Sequence, residues 1–245
     1  NLVTFRDEPE TIQKLSDALL KAFPVITTIV NNVNDQHNPT AVGRYEKVIF
    51  GPGFIVDKIG DFEFKIHPNA FFQTNTHQAE RLYDVARNFA DLQDGEIVYD
   101  LYCGVGTLSL YMSQKASKVL GIELVDVAVE NAKFNAKENG VENVSFIRGD
   151  MKDVFTQDMV DEFGAPDVLI TDPPRAGMHP DVVARLCVLK VPKMVYVSCD
   201  SSTMARDLQN LSEVYDVLEV QPVDMFPQTY HVEAVAKLRL KSIKN

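Results

Sequence analysis

The sequence predicts an α/β protein with a doubly wound, mostly parallel sheet that has an antiparallel edge, preceded by a small α+β module. From about residue 76 onward, helical patterns alternate with short apolar strands, which is typical of a parallel sheet covered by helices on both faces. The last two strands lack an intervening helix, which predicts an antiparallel pair at one edge. Before residue 76, half-exposed strand patterns are separated by turn residues.

The first module, residues 1–75, is predicted to contain one helix and several strands. Its helix follows Pro9, and the apolar residues at helical spacing are Ile12, Leu15, Leu19 and Phe23. Extended stretches are predicted at about 25–33, 45–50, 53–57 and 62–66. The turns between them contain Asn38-Pro39 and Gly51-Pro52-Gly53. We expect this module to be part of a truncated central domain.

The second domain, residues 76–245, supplies the alternating pattern. Helices are predicted at about 76–92, 106–115, 125–139, 150–162, 180–189 and 201–212. Strands are predicted at about 96–101, 118–122, 143–148, 167–171, 193–198, 214–221 and 231–240.

Composition limits the class of protein. The chain has 245 residues, of which 45% are hydrophobic and 24% are charged, as in ordinary globular proteins. Lys+Arg 24 minus Asp+Glu 35 gives a net charge of −11, so a nucleic-acid partner must be held by a local patch or a segment outside this chain. The basic run Lys237, Arg239, Lys241 and Lys244 is either such a strip or a solvated edge strand.

Cysteine use and hydropathy predict the compartment. Cys103, Cys187 and Cys199 form no Cys-x-x-Cys pair, and their odd number argues against a disulfide framework, which favours a reducing compartment. Three scattered cysteines could not hold an iron–sulfur cluster, and we expect no metal site. No apolar run approaches the length of a membrane span. We expect a cytoplasmic protein that is monomeric and does not bind membranes. Because the chain begins at Asn1 without Met, we also expect it to be a fragment of a longer protein.

Candidate ligand-binding residues follow the first strands of the predicted sheet. Asp100-Leu101-Tyr102-Cys103-Gly104-Val105-Gly106-Thr107 joins a strand to a helix, and its glycines allow close approach of a ligand. Ser109 stands where a dinucleotide fingerprint has its third glycine. Glu123 ends the next strand, where it either accepts hydrogen bonds from ribose hydroxyls or is a solvated helix cap. Asp150 follows the third strand and either binds an adenine amino group or caps a helix.

Candidate reactive residues follow the later strands. Asp172-Pro173-Pro174-Arg175 holds an acid rigidly at the sheet edge, because proline restricts the backbone. Cys199 follows the fifth strand and Glu233 begins the last one.

Taken together, six ordered blocks resemble the RNA uracil-C5 methyltransferases, which make 5-methyluridine in ribosomal or transfer RNA. The blocks are Phe71–Asn75, Asp100–Thr107, Gly121–Glu123, Asp172–Arg175, Ser198-Cys199 with Thr203 and Ala205–Asp207, and Asp224–Glu233. The resemblance implies a Rossmann-like methyltransferase fold, S-adenosylmethionine as cofactor, and RNA as partner, with ribosomal RNA favoured over transfer RNA. It implies Cys199 as nucleophile and Glu233 as base, with Asp172 near the target base. The cofactor residues it implies are Gln73, Tyr102, Gly104, Thr107, Glu123, Asp150 and Asp172.

The chain departs from the family pattern after Cys199, where Asp200-Ser201 replaces the usual Asn-Pro. We expect the added charge to oppose formation of the thiolate. Arg175 and Arg206 are the candidates for assisting it. Phe71, Phe72 and Tyr230 are candidates for stacking on a flipped base.

Three alternatives remain open at this point. An amino-methylating enzyme acting on adenine would have Tyr or Phe where Arg175 stands. A nicotinamide-dependent oxidoreductase would need the missing third glycine. A non-catalytic RNA-binding module with this fold would have no use for Cys199 or Glu233.

Overall fold

A computed structural model describes residues 1–35, 43–154 and 156–242. The chain divides into two compact units, one formed by Asn1–Asp57 and Phe64–Phe72 and the other by Lys58–Glu63 and Gln73–Asn245. Residues 58–63 and 73–75, which the sequence analysis assigned to the first module, therefore group with the second unit. The predicted turn at Asn38-Pro39 lies outside the described residues.

The first unit contains a three-stranded sheet and one helix. The sheet has the order β1 (Leu2–Thr4), β2 (Ile29–Val33), β3 (Tyr45–Phe50), and α1 spans Pro9–Ala22. Strand β1 pairs parallel to β2, and β3 pairs antiparallel to β2. Strand β1 was not predicted, because three residues are too few to show a periodic pattern. A separate two-stranded sheet consists of β4 (Ile55–Ile59) and β5 (Phe62–Ile66).

The second unit alternates helices and strands. Its helices are α2 (Thr76–Ala90), α3 (Thr107–Ser113), α4 (Asp126–Glu138), α5 (Met151–Val154), α6 (Gln157–Phe163), α7 (Pro180–Leu189) and α8 (Ser201–Leu211). Its strands are β6 (Ile97–Leu101), β7 (Lys118–Glu123), β8 (Val144–Arg148), β9 (Val168–Thr171), β10 (Lys193–Ser198), β11 (Tyr215–Val223) and β12 (Glu233–Leu240). The helix predicted at about 150–162 is divided into α5 and α6, and Thr156, which precedes α6, has an extended backbone.

The seven strands form one sheet in the order β11-β12-β10-β9-β6-β7-β8. Strands β6 to β10 pair parallel, whereas β12 pairs antiparallel with both β10 and β11. The predicted doubly wound sheet with an antiparallel edge is confirmed. Strands β6, β7, β9 and β10 are buried because helices cover both faces, as the apolar composition of these strands predicted.

The strand order positions the candidate residues. Parallel strands end at the same edge, so Leu101, Glu123, Thr171 and Ser198 mark one carboxyl edge of the sheet. Strand β12 runs in the opposite direction, and its second residue, Ala234, pairs with Ser198. Glu233 therefore begins β12 at the same edge at which the parallel strands end.

The basic run near the C-terminus lies at the amino ends of the parallel strands, opposite the carboxyl edge of the sheet. Arg239 pairs with Lys193, the first residue of β10. Strand β12 lies between β10 and β11 and is therefore not an outer strand of the sheet. The prediction that the basic run lies on a solvated edge strand is wrong. Lys241 follows β12 and donates to the Ser212 carbonyl, and Lys244 lies outside the described residues. This placement does not favour the alternative that the run contacts phosphates bound at the carboxyl edge.

No helix in the described ranges is both long and apolar enough to cross a membrane. Within the same ranges, no group of three or more His, Cys, Asp or Glu side chains is placed to hold a metal ion.

Candidate active site

The candidate site lies at the point where the strand order reverses. From β6 the chain moves outward to β7 and β8, whereas β9 returns to the opposite side of β6. Such a switch point leaves a crevice beyond the carboxyl ends of the two central strands. The backbone N–H of Asp172 donates to the Leu101 carbonyl at 3.3 Å, which joins the two strand ends.

The turn after β6 has the geometry of a ligand-binding loop. Tyr102, Gly104 and Gly106 have positive φ values of 66°, 55° and 82°. A Cβ atom on Gly106 would lie 2.7 Å from the Phe146 ring, so packing requires glycine there. A Cβ atom on Gly104 would meet nothing within 4 Å. Gly104 therefore borders open space, and glycine adopts its positive φ without strain. The left-handed backbone of Tyr102 does cost energy, and such residues are typical of functional sites.

Asp100 supplies a buried carboxylate below this turn. Ser109, at the position of the missing third glycine, donates its hydroxyl to Asp100 Oδ2 at 2.5 Å. The other oxygen, Oδ1, is buried and has no hydrogen-bond partner among the described residues. Burial, together with the charges of Asp172 and Glu123, raises the pKa of Asp100 to about 7. An unpaired acidic oxygen beside an open glycine turn fits a ligand that carries hydrogen-bond donors and positive charge, as S-adenosylmethionine does.

Replacing Asp100 with asparagine is expected to stabilise the protein at high pH. Because the folded-state pKa is raised, Asp100 contributes stability below its unfolded pKa and loses it as the pH rises through about 7. The Asn variant keeps an acceptor for Ser109 but cannot ionise. Its gain in unfolding free energy over wild type should be about 2 to 4 kcal/mol larger at pH 8 than at pH 5. Denaturant titrations at both pH values test this, with the exposed Asp94→Asn as control; equal gains at the two pH values would contradict it.

Glu123 and Asp150 both accept backbone hydrogen bonds. Glu123 accepts from the N–H groups of Gly104 at 3.1 Å and Val125 at 2.8 Å, so it links the ends of β6 and β7. Asp150 accepts from the Lys152 N–H at 3.2 Å, and this bond and the Lys152 ammonium lower the pKa of Asp150. The helix-capping alternative for Asp150 is therefore present in the structure, and a cofactor role for it stays a prediction.

The remaining predicted cofactor residues lie near the same turn or lead into α2. Thr107 is the first residue of α3, and its Oγ1 lies 2.9 Å from the Tyr83 hydroxyl. Burial raises the pKa of Tyr102 to about 12, with the charges of Asp150 and Asp207 adding to it. Gln73 lies two residues before Asn75, the N-cap of α2. Its role stays a prediction.

Cys199, Glu233 and Asp172 form an electrostatically coupled cluster. Glu233 is 8% exposed, and burial and the charge of Asp172 raise its pKa to about 7. Burial raises the pKa of Asp172 to about 6. Burial and the charges of Glu233 and Asp172 raise the pKa of the partly buried Cys199. Cys199 is therefore a protonated thiol at rest. It lies beside two carboxyl groups, Asp172 and Glu233, whose pKa values are about 6 and about 7.

Arg175 is the basic side chain that faces this cluster. Its positive charge and a hydrogen bond from its guanidinium lower the pKa of Cys199, opposing the carboxylates. It also counteracts the rise in the pKa of Glu233. Its Nη2 atom lies 3.2 Å from Nε2 of His231.

Arg206, the other candidate, has a structural role. It contacts Asp207 Oδ1 through Nε and Nη2 at 2.9 and 2.8 Å and donates to the Ala176 carbonyl at 2.7 Å. Asp207 is buried and also accepts from the Met178 N–H and the Tyr196 hydroxyl. This pair holds the loop after β9 against α8 and β10. Of the two candidates, only Arg175 acts on the Cys199 thiol.

A sequence profile of the tRNA (Uracil-5-)-methyltransferases matches residues 40–241. The chain belongs to this family. It is 45% identical over 239 residues to an uncharacterized RNA methyltransferase of Bacteroides thetaiotaomicron, covering 98% of this chain and 53% of the relative. It is 46% identical over 224 residues to one of Oceanobacillus iheyensis, covering 91% and 49%. The chain thus spans about half the length of these relatives.

Solved structures agree with the family and the fold. The tRNA (uracil-54, C5)-methyltransferase of Pyrococcus abyssi, in complex with S-adenosyl-L-homocysteine, aligns with a TM-score of 0.75 and 34% identity, over 89% of this chain and 52% of that one. A tRNA m1G37 methyltransferase of M. jannaschii aligns with a TM-score of 0.61 at 14% identity, over 97% and 68%, and shares the fold. The predicted family and the predicted Rossmann-like fold are confirmed.

Asp200, which departs from the family pattern, has a local structural role. Its carboxylate caps α8 by accepting from the N–H groups of Ser202 and Thr203 at 2.9 and 3.2 Å. These bonds lower the pKa of Asp200, and the charge of Arg175 adds to the effect. An asparagine in this place could also cap the helix. The carboxylates that oppose the Cys199 thiolate are Glu233 and Asp172.

Two residues beside the site were not predicted as site residues. Asp100 was part of the Gly-rich block, and its burial below the turn is a tertiary feature. Tyr83 lies on the buried face of α2 with Ala79, Leu82 and Ala86, so its sequence pattern is that of a core residue.

Of the candidates for base stacking, Tyr230 is exposed and its ring lies 4.1 Å from the His231 ring. Its role stays a prediction.

Replacing Arg175 with glutamine is expected to make Cys199 less reactive, because the positive charge that lowers the thiol pKa is lost. Alkylation of Cys199 by iodoacetamide at pH 8, followed by peptide mass spectrometry, should slow by about three- to tenfold. Arg239→Gln removes the same charge from the opposite edge of the sheet and should leave the rate unchanged. Equal rates for wild type and Arg175→Gln would rule out this role.

Proposed function

We propose that the protein transfers a methyl group from S-adenosylmethionine to C5 of a uridine in RNA, through a covalent adduct between Cys199 and C6 of the base. The observation that carries this proposal is the meeting of Cys199, Arg175 and Glu233 at the carboxyl edge of the sheet, beside an open Gly-rich turn. Family membership supports it, since the profile is that of uracil-5-methyltransferases.

Cofactor binding is assigned to the turn after β6 and the residues around it. Asp100 and Glu123 offer acidic oxygens, and Gly104 leaves room for close approach. The resemblance adds Gln73, Tyr102, Thr107, Asp150 and Asp172. S-adenosylmethionine, when bound, supplies the methyl group that C5 of uracil accepts.

Cys199 is proposed to begin the reaction. C5 of uracil is a weak nucleophile, and attack of the thiolate on C6 forms a C–S bond and moves the double-bond electrons to C5 and the O4 carbonyl. Because burial and the carboxylates of Glu233 and Asp172 raise the pKa of Cys199, the thiolate depends on Arg175. The thiol proton passes to solvent, since Cys199 is only partly buried, and the guanidinium stabilises the charge that develops on the sulfur.

Glu233 is proposed to end the reaction. After C5 has accepted the methyl group it still carries its proton, and a base must remove it. The electron pair of that C–H bond then restores the C5–C6 double bond and expels the Cys199 thiolate. The pKa of about 7 makes Glu233 a stronger base than an ordinary carboxylate while leaving a large ionised fraction at neutral pH.

The RNA class remains part of the proposal. The sequence resemblance favours ribosomal over transfer RNA, whereas the Pyrococcus abyssi structure is that of a tRNA enzyme. The full-length protein that contains this chain should be incubated with S-adenosylmethionine and each RNA in unmodified form, and the nucleosides analysed by mass spectrometry. We expect 5-methyluridine in ribosomal RNA. Its appearance in transfer RNA alone would correct the substrate, and methyladenosine in place of 5-methyluridine would contradict the proposed reaction.

Glu123→Ala is expected to weaken binding of S-adenosylmethionine by about 1 to 3 kcal/mol, because it removes a charged acceptor and the bonds that link Gly104 to Val125. Glu123→Gln retains one acceptor and should have a smaller effect. Calorimetry measures both, and Glu130→Ala, which removes an exposed carboxylate on α4, is the control. An unchanged affinity for Glu123→Ala would argue against this cofactor site.

A further inference from the structure

Tyr83 joins α2 to the Gly-rich turn. Its side chain is buried, with 3% of the residue exposed. Its hydroxyl lies 2.9 Å from Oγ1 of Thr107, which directly follows Gly106 and begins α3. The buried Tyr83 hydroxyl therefore contacts Thr107, the residue at which the turn joins α3.

A second tyrosine beside it has a different partner. The rings of Tyr83 and Tyr111 lie 5.7 Å apart. The Tyr111 hydroxyl donates to Asp84 Oδ1 at 2.6 Å, and the Arg87 guanidinium lies 4.7 Å from the Tyr111 ring. Both phenols contribute to the packing of α2 on α3, but only Tyr83 bonds to the turn.

The direction of the Tyr83 bond follows from the chemistry of the two hydroxyls. A phenol is more acidic than an aliphatic alcohol, and the alcohol oxygen is the better acceptor. Burial and the charges of Asp172, Asp100 and Glu233 raise the pKa of Tyr83, so the phenol keeps its proton. The Tyr83 O–H then donates to Thr107, and the Thr107 proton is free to point away from Tyr83.

We propose that Tyr83 is a positioning residue, which fixes the Gly106–Thr107 turn and directs the Thr107 hydroxyl proton toward the bound cofactor. The inference rests on the proposed function in naming S-adenosylmethionine as the ligand of Thr107. Its structural part, that the Tyr83 hydroxyl holds the turn, stands on the contact itself.

The test compares Tyr83→Phe with Tyr111→Phe in the full-length protein. Each variant removes one buried phenol hydroxyl from the same pair of helices. Amide hydrogen exchange without cofactor should become about five- to tenfold faster around residues 104–108 in Tyr83→Phe and stay unchanged there in Tyr111→Phe. The dissociation constant of S-adenosylmethionine should rise about five- to tenfold in Tyr83→Phe only. Thermal unfolding of both variants controls for a general loss of stability.

Thr107→Val and the double variant complete the test. Both single changes break the same hydrogen bond, the one between the Tyr83 and Thr107 hydroxyls. Tyr83→Phe should therefore add little to the loss of affinity that Thr107→Val causes. Additive losses, equal exchange in the two Phe variants, or the same affinity loss in Tyr111→Phe would overturn the inference. If wild type binds no S-adenosylmethionine, the proposed function fails, and the exchange experiment still decides whether Tyr83 holds the turn.

Discussion

Cys199→Ala is expected to abolish methylation of RNA, with a loss of at least about 10³-fold, because it removes the proposed nucleophile for C6. It should also abolish the stable adduct that we expect between wild type and RNA containing 5-fluorouridine. Without a proton on C5 to remove, the wild-type adduct should persist and appear as a shifted band on a denaturing gel. Cofactor binding, measured by calorimetry, should remain within about twofold of wild type.

Cys187→Ala is the matched control. Cys187 is a partly buried thiol on α7, where burial and the charge of Glu213 raise its pKa. Its variant should methylate RNA and form the adduct as wild type does. A shifted band for Cys199→Ala, or loss of the band in Cys187→Ala alone, would disprove the assignment of the nucleophile.

Glu233→Gln is expected to separate methyl transfer from release of the product. Glutamine keeps the shape of the side chain but cannot accept the C5 proton, so turnover should fall by about 10²- to 10⁴-fold. Attack by Cys199 and methyl transfer remain possible. A methylated protein–RNA adduct should therefore accumulate on unmodified RNA and be visible on a denaturing gel and by mass spectrometry.

The control for this variant is Glu219→Gln, which neutralises an exposed carboxylate on β11. It should turn over normally and accumulate no adduct. Normal turnover in Glu233→Gln would exclude Glu233 as the base. Loss of turnover without any adduct would show that Glu233 acts before methyl transfer.

Wild-type pH dependence follows from the same two groups. Glu233 accepts a proton only as the carboxylate, so product release should rise with pH through about 7. The raised pKa of Cys199 has the same sign, because a larger thiolate fraction accelerates attack as pH rises. Ionisation of Glu233 and ionisation of Cys199 should therefore both increase the rate of methylation as the pH rises.

The negative charges near Cys199 are the reason why we expect its reactivity to depend on Arg175. Asp172 raises the pKa of both Cys199 and Glu233, which suits a base but opposes a thiolate. Arg175 faces both groups and opposes both shifts. In the proposed mechanism, the base Glu233 is therefore strengthened, and the nucleophile Cys199 depends on the positive charge of Arg175.

Much of the fold could be predicted from local pattern. Helices and strands with clear apolar periodicity, such as α7 and β10, were predicted with the bounds that they have in the structure. Strand β1 and the division of α5 from α6 could not be, because short elements depend on their neighbours more than on their own sequence. Motifs at strand ends were informative because parallel strands end at one edge, whatever the details of packing.

By itself, the sequence determined the α/β class, the family and the residue types that could carry the chemistry. Only the tertiary structure decided which of them meet. Glu233 reaches Cys199 because β12 runs antiparallel between β10 and β11, and the same insertion carries Arg239 to the opposite edge. Arg175 faces the thiol while Arg206 is bound to Asp207. Such choices depend on contacts between residues far apart in the chain, which local periodicity does not encode.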